Sequence, residues 1–467
     1  MTSNRSEAWY RSRSLWLDEV DLGAPRITLS GDVHVDVAII GGGFTGLWTA
    51  YYLAVARPGL RIAVLEREIV GYGAAGRNGG WVGAGIAGSS AVYAAKAGWQ
   101  RTRLASHLTE QAVDEIGAVA DAEEIPCDYL KRGTLTIART TPQWQRLQAE
   151  VDHAKTTGML APGVELLSPE QVRDYVAVPE VVGGAFTPHC ARVQPAQLAR
   201  GLAAACERRG VSVYEHTEAT SVHSNTVVTA GGVVRASSVL VATEAWTSRF
   251  AGQRRRYMPL TSMMVATAPL TAEQWKALGW PPGLTIRDRR HLFFYAQRTS
   301  DDRIAIGGRG APYALRDPLG EFDSAQSDNT AIWDRLIRTL HEHFPGTEQH
   351  TVTHRWGGTL AVPRDWSMGV RYDHSTGLGW AGGYSGHGVV ASYLAGRSLC
   401  DLVLGVNSPH ADAPWVGHKS RRWEPEPLRF LAANGIVRVL DSADRREDST
   451  NRAAWRAKLV KPFMPPA

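Results

Sequence analysis

Val35-Asp36-Val37-Ala38-Ile39-Ile40-Gly41-Gly42-Gly43-Phe44-Thr45-Gly46-Leu47 is the stretch whose reading decides the fold. A short apolar run meets three glycines at turn spacing, and residues 47–56 continue as an apolar segment of helical length. Residues 61–65 supply a second strand that ends at Glu66, completing a β-α-β unit. In that setting Gly41 permits a tight turn, Gly43 lets the backbone approach a pyrophosphate, and Gly46 lets the helix pack on its strand. Phe44 and Thr45 open the helix, whose free N–H groups and positive end attract phosphate. Glu66, placed to accept hydrogen bonds from ribose hydroxyls, would repel a 2′-phosphate, and Arg67 falls beside it at the same end. The G-x-G-x-x-G spacing recurs at Gly71/Gly73/Gly76, Gly83/Gly85/Gly88 and Gly377/Gly379/Gly382, as expected by chance in a chain with 47 glycines. Only the first match has the strand, the helix and the acidic residue.

Working outward, residues 104–120 read as a polar helix and residues 133–138 as a strand. Residues 194–209 form an amphipathic helix that ends at Gly210, a fitting C-terminal cap. Strands follow at 211–214, 226–229 and 239–241, and alternation through 258–269, 292–296 and 303–307 predicts a largely antiparallel sheet. Residues 332–343 form a further helix. A strand at 378–381, the cluster Gly382-Gly383-Tyr384-Ser385-Gly386-His387-Gly388 and a helix from Val389 to Leu404 then restore the buried character of the beginning. The expected fold is α/β, more fully a two-lobed α+β arrangement. A discontinuous Rossmann-type cofactor domain (1–89, 190–255 and 355–408) carries an inserted, mainly antiparallel substrate domain (90–189 and 256–354). A tail at 409–467 carries a surface helix at 446–459.

With 467 residues and 44% hydrophobic content, the chain can bury a large core. Its 51 basic and 46 acidic residues are dispersed, so runs such as Arg254-Arg255-Arg256 read as solvated faces and neither nucleic acid nor membrane is expected as a partner. Cys127, Cys190, Cys206 and Cys400 form no C-x-x-C pair, which suggests neither zinc nor a disulfide framework, and no metal is assigned. Without the continuous apolar core of a signal peptide, a cytoplasmic location is expected.

After Glu66 the chain proceeds to Gly71-Tyr72-Gly73-Ala74-Ala75-Gly76-Arg77-Asn78-Gly79-Gly80 instead of further parallel units, and this second flexible cluster favours FAD over NAD. Together with Val239-Leu240-Val241-Ala242-Thr243 and the 382–388 cluster, these segments resemble the D-amino-acid oxidase superfamily. The nearest likeness is to its gamma-glutamylputrescine oxidase-like and sarcosine oxidase-like branch. The resemblance covers about residues 14–405 and implies a two-lobed FAD fold, oxidation of a C–N bond in a small amine to an imine, and usually dioxygen as acceptor, reduced to hydrogen peroxide. It also implies that Gly73, Ala74, Arg77, Asn78, Gly79 and Gly80 line the ribityl chain or ring edge. Ala219 falls at a backbone contact with adenine, and Thr243 contacts the cofactor, although Glu244 stands where glycine is common in the family. Gly383, Tyr384, Gly386, His387, Gly388 and Val389 meet the pyrimidine end of the flavin.

The helix beginning near Val389 offers its positive end where negative charge reaches the flavin, and His387 is a candidate donor there. Trp356, Tyr295 and Tyr384 complete the candidate reacting group. With no cysteine or histidine in an attachment segment, FAD is expected to be dissociable. Seven lysines occur in the chain and none lies in the 259–269 strand, where Met263 and Met264 stand, so an apolar, aromatic pocket is expected in place of a carboxylate clamp. Trp81, Met264, Phe294, Tyr295, Trp356 and Tyr384 are its candidate walls, with His291 a possible polar contact. An amine dehydrogenase serving a quinone or carrier protein, and a non-catalytic flavoprotein subunit suggested by Trp415, Trp423 and Trp455, remain open; an NADPH-dependent monooxygenase is disfavoured.

Overall fold

The computed structural model describes residues 5–308, 310, 313, 330–460 and 463. Its first sheet is built on parallel strands: Val33–Ile40 lies between Ile62–Leu65 and Gly232–Val241, with Ser212–Tyr214 beyond the former and Leu378–Gly382 beside the latter. The registers Ile40↔Leu65 and Ile40↔Val241 align the strand ends on one edge. Val37 to Ile40 and Ile62 to Leu65 are buried without interruption, as strands covered on both faces must be.

Three helices lie against this sheet: Phe44–Ala56, Pro195–Arg208 and Gly388–Leu404. The first and last touch closely, because a Cβ at Gly396 would stand 2.6 Å from the Cβ of buried Trp48. This contact joins the two glycine clusters, which are more than 300 residues apart in sequence, into one packed layer.

The second sheet runs Val352–Val362, Met258–Thr267, Ile304–Gly308, Phe294–Arg298, Thr285–Asp288, Thr134–Ala138, Gly183–Thr187, Glu165–Leu167. Every neighbouring pair is antiparallel except Thr134–Ala138 with Thr285–Asp288. Its core gathers Trp275, Trp280, Phe294, Trp333 and Phe344 beneath Ala272–Leu278 and Thr330–His343. A small sheet of Trp81–Gly83, Cys190–Arg192 and Leu130–Lys131 completes the strands.

Three features differ from the sequence division. Helix Trp99–Ala122 falls in the stretch assigned to the inserted lobe, yet it buries Ala105, Ala112, Val113 and Ile116 in the first core because its apolar stripe matches the Gly388–Leu404 helix. Residues 355–362, assigned to the cofactor lobe, belong to the second sheet, since ladder pairing with Met258–Thr267 continues through Met258↔Val362. In the tail, the main helix is Leu428–Thr450, ending at Asn451 in the left-handed conformation, so a helix over 446–459 is not formed. Trp415 and Trp423 are buried there and Trp455 is exposed; residues 461–462 and 464–467 lie outside the described residues.

Replacing Gly396 by Val is expected to destabilise the fold by about 1–3 kcal/mol or more, since neither Trp48 nor the neighbouring backbone has room to yield. A lowered thermal unfolding midpoint with unchanged secondary structure content would show this; an unchanged midpoint would mean that the two helices can separate at little cost.

Candidate functional site

One cavity of about 1280 Å³ runs along the carboxyl edge of the parallel sheet and continues over the second sheet. Its volume exceeds the roughly 300–1,000 Å³ of a single small-molecule site, leaving room for a long cofactor and a substrate. The first glycine turn forms one end. Gly41 takes φ +111°, and a Cβ there would lie 2.6 Å from the Ala242 carbonyl oxygen, so both conformation and proximity require glycine. Helix Phe44–Ala56 has Gly43 as its N-cap with no side-chain cap, leaving its first N–H groups directed at the cavity. Glu66 accepts a hydrogen bond from Gly42 N at 2.7 Å and from Glu68 N at 2.9 Å, while burial pushes its carboxyl up to about 7.

Gly41, Gly43, Phe44, Thr45, Glu66, Arg67, Gly73, Ala74, Arg77, Asn78, Gly79, Ala219 and Thr243 all border this cavity. From the second cluster, Tyr384, Gly386, His387, Gly388 and Val389 do so. Three expected contacts do not: Gly46 packs on the Gly41 carbonyl, Gly80 on Gln297 and the Val193 carbonyl, and Gly383 on Pro363. These positions support the turn from behind. Asn78 donates to the Ala74 and Ala75 carbonyls and accepts from Gly80 N, so its side chain shapes the loop.

Unpartnered groups test the fit of FAD. Arg77 is buried with its guanidinium 4.2 Å from the Tyr72 ring centre, and among the described residues its Nε and one Nη find no acceptor. Trp81 and Trp246, both on the cavity wall, have buried indole N–H groups without partners among the described residues. Buried donors of this kind are costly unless a ligand or water satisfies them. Donors along the wall, an uncapped helix at the phosphate end and an acceptor at Glu66 fit a dinucleotide flavin.

The two glycine clusters are tied together by a 2.7 Å hydrogen bond between Thr45 Oγ1 and the buried Tyr384 hydroxyl. Burial keeps that phenol protonated. Tyr295 lies with its ring against Gly79 and Gly307 and its hydroxyl 2.9 Å from Ser262 Oγ; burial likewise raises its pKa. His387, exposed into the cavity, is the N-cap of Gly388–Leu404 without a side-chain cap bond, and desolvation there, reinforced by nearby Arg287, pushes its pKa down, favouring the neutral ring.

Trp356 does not reach the cavity. It is 1% exposed, meets Trp16 edge-on and donates from Nε1 to the Arg77 carbonyl at 3.1 Å; it shares the strand face of Gly358 and Leu360, but Trp16 and the Arg77 segment cover that end of the face. It supports Arg77 from behind. Met264 and Phe294 are also core residues, whereas Trp81, Tyr295 and Tyr384 border the cavity. His291 borders it too, held 3.3 Å from Glu447 and from Arg146.

Two functional features escaped the sequence reading. Glu244, half-buried at φ +47°, accepts from Ala361 N at 2.9 Å, Tyr384 N at 3.1 Å and Gly383 N at 3.2 Å. One carboxylate thus joins the end of the first sheet, the second sheet and the second glycine turn, and burial pushes it up to about 7 against those three donors. The departure from glycine at 244 was the available signal. Arg287 is the other feature: its side chain is about 35% exposed, with that exposure directed into the cavity, and its Nε donates to Thr136 Oγ1 at 3.0 Å. Glu150 lies 3.9 Å from it and is engaged more closely, at 2.6 Å, by Arg289. An arginine on the wall corrects the expectation of a wholly apolar, aromatic pocket.

Glu244→Ala is expected to weaken FAD retention by about tenfold or more, as three buried N–H groups lose their acceptor, with Glu244→Gln intermediate. Recovery of free FAD fluorescence on dilution measures this; a dissociation constant within twofold of the parent would show the bridge to be dispensable.

Comparison with known proteins agrees with this geometry. Residues 36–402 match the model of the family described as DAO, FAD dependent oxidoreductase. The chain is 30% identical to gamma-glutamylputrescine oxidoreductase of Escherichia coli (strain K12) over 84% of its length and 90% of the relative's. It is 25% identical to glycine oxidase of Geobacillus kaustophilus (strain HTA426), covering 79% and 92% of the two chains. The crystal structure of glycine oxidase from Geobacillus kaustophilus superposes with a TM-score of 0.69 at 22% identity, over 84% of this chain and all of that one. No helix among the described residues is long and apolar enough to cross a membrane. A parallel sheet with its glycine turn, an antiparallel second sheet and a shared cavity thus belong to an enzyme of the DAO family of FAD-dependent oxidoreductases that act on amines and amino acids.

Proposed function

We propose that this chain oxidises the C–N bond of a small amine or amino-acid derivative to an imine, with FAD held non-covalently and dioxygen as the acceptor. The observation that carries the reading is the continuity of the cavity from Glu66, past Tyr295 and His387, to Arg287. FAD bound there would supply a hydride acceptor for the carbon next to nitrogen.

The residues divide that task. Tyr295 and Trp81, with ring centres 6.1 Å apart and edge to face, form an aromatic wall that excludes water and suits a neutral amine. The Gly388–Leu404 helix directs its positive end at the place where negative charge collects, next to neutral His387, which can donate without bearing charge. Tyr384 is occupied with Thr45 and acts as a positioning residue. Arg287 offers a planar fork for an anionic substituent of the substrate. The relatives' names, gamma-glutamylputrescine and glycine, both denote amines that carry a carboxylate, which supports that role.

Anaerobic mixing with an amine panel that includes gamma-glutamylputrescine, glycine and sarcosine is expected to bleach the flavin absorbance for at least one member, and readmission of air to restore it with release of peroxide. A panel that never bleaches the band overturns the reading. Arg287→Met is expected to raise KM about tenfold or more for a carboxylate-bearing substrate while leaving a simple alkylamine unaffected. Equal effects on both would remove Arg287 from recognition.

Acid precipitation is expected to release the yellow colour into the supernatant. Colour retained in the pellet would establish a covalent link.

A further inference from the structure

Beyond the flavin end, the cavity continues between two walls that the family match does not include in full. One wall is a two-stranded ramp. Met258, Leu260 and Ser262 alternate along one strand, and Val362, Leu360 and Gly358 stand directly opposite them in register, all six bordering the cavity. Residues two apart share one face of a strand, so the pairs form a continuous track. The track begins at the reacting end, where Ser262 meets Tyr295 and a Cβ on Gly358 would lie 3.2 Å from Arg77 Cβ. It ends about 13 Å away, at roughly 3.3 Å per residue, on the pair Met258 and Val362.

The other wall is the C-terminal helix Leu428–Thr450, which lies outside the matched residues 36–402. Leu428, Ala432, Ala433, Ile436, Val437 and Leu440 border the cavity. Their spacing places them on one face of an α-helix, and every one is apolar. The stripe is anchored from its far end, where Asp444 accepts from His291 N at 2.8 Å and Leu292 N at 3.0 Å, and Glu447 accepts from Arg146 at 2.8 Å. Asp444 and Glu447, bonded to these amides and this cation, hold the helix in place.

We propose that the space between ramp and helix is an apolar subsite, and that the chain's substrates are amines bearing an extended alkyl or aryl substituent that lies along Leu260, Leu360, Ile436 and Val437. This assignment rests on the amine-oxidising reading above and specifies its substrate class. Arg287 stands beside Tyr295 across the strands, whereas the apolar track runs along them, so one substrate can use both. Short amines such as glycine and sarcosine leave the track empty.

The test is a homologous series of n-alkylamines from propyl to octyl, together with α,α-dimethylalkylamines of the same lengths, which have no hydrogen on the carbon next to nitrogen and therefore report binding alone. In the parent, kcat/KM and the calorimetric association constant are each expected to rise with chain length, by up to about fourfold per fully buried methylene. Ile436→Asn is expected to flatten that slope, lowering kcat/KM and affinity for octylamine more than for propylamine. Ala432→Phe, which fills the track without adding polarity, is expected to lower affinity for octyl at least tenfold relative to propyl. Slopes that are flat in the parent, or equal in parent and both variants, overturn the subsite. If no amine bleaches the flavin and the calorimetric slope persists, the subsite stands and the oxidation reading falls; bleaching with a flat slope means the reverse.

Discussion

Two uncapped helix N-termini open onto one cavity, and the rest of the molecule is arranged around that constraint. Phe44–Ala56 and Gly388–Leu404 each begin with a residue whose side chain makes no capping bond. Free N–H groups at a helix start are satisfied by a ligand or solvent, so the two starts mark where an extended anionic cofactor fits. Close packing through Trp48 and Gly396 and the Thr45–Tyr384 hydrogen bond fix their separation. Neither bond nor packing contact would form if the parallel strands ended at different levels, and the Leu65, Ile40 and Val241 register keeps them level.

The parts of this arrangement that were readable from sequence are those encoded locally. A glycine turn between a strand and a helix, an acidic residue 20 positions later and a second glycine cluster before another helix need only chain order to be interpreted. Elements encoded by long-range register were not readable. Trp356 shares the strand face of the cavity-lining Gly358 and Leu360, and it is core because Trp16, distant in sequence, and the Arg77 segment cover that end of the face. Arg287 is one inward residue on a four-residue strand, with nothing in its neighbours to distinguish it from a surface arginine. Helix Trp99–Ala122 could be assigned to a core only once its partner was known.

Glu244 shows how such a position can be costly in isolation and useful in context. A buried carboxylate is strongly disfavoured, and its positive φ adds about a further 1 kcal/mol. Three backbone N–H donors, one from the second sheet and two from the second glycine turn, offset this, in a geometry that glycine could adopt but not replace. The shift of its carboxyl up to about 7 shows that burial outweighs the donors. Between about pH 4.5 and 7 the folded chain therefore holds a proton that the unfolded chain has released, and this site's contribution to stability falls as pH rises through that window.

Because the cavity wall is drawn from residues 41–84, 217–262, 287–308 and 358–440 among others, filling it links the two sheets. A ligand that binds the folded chain alone stabilises it by about 2.7 kcal/mol at a concentration one hundred times its dissociation constant. In this molecule that free energy acts on the contact between the two sheets. The residues that carry it are the ones left with unfulfilled donors, Arg77, Trp81 and Trp246, together with the Glu244 bridge. Cofactor binding and the contact between the two sheets therefore reinforce each other, and a substitution that loosens the bridge weakens both even though Glu244 has no direct part in the oxidation proposed for this site.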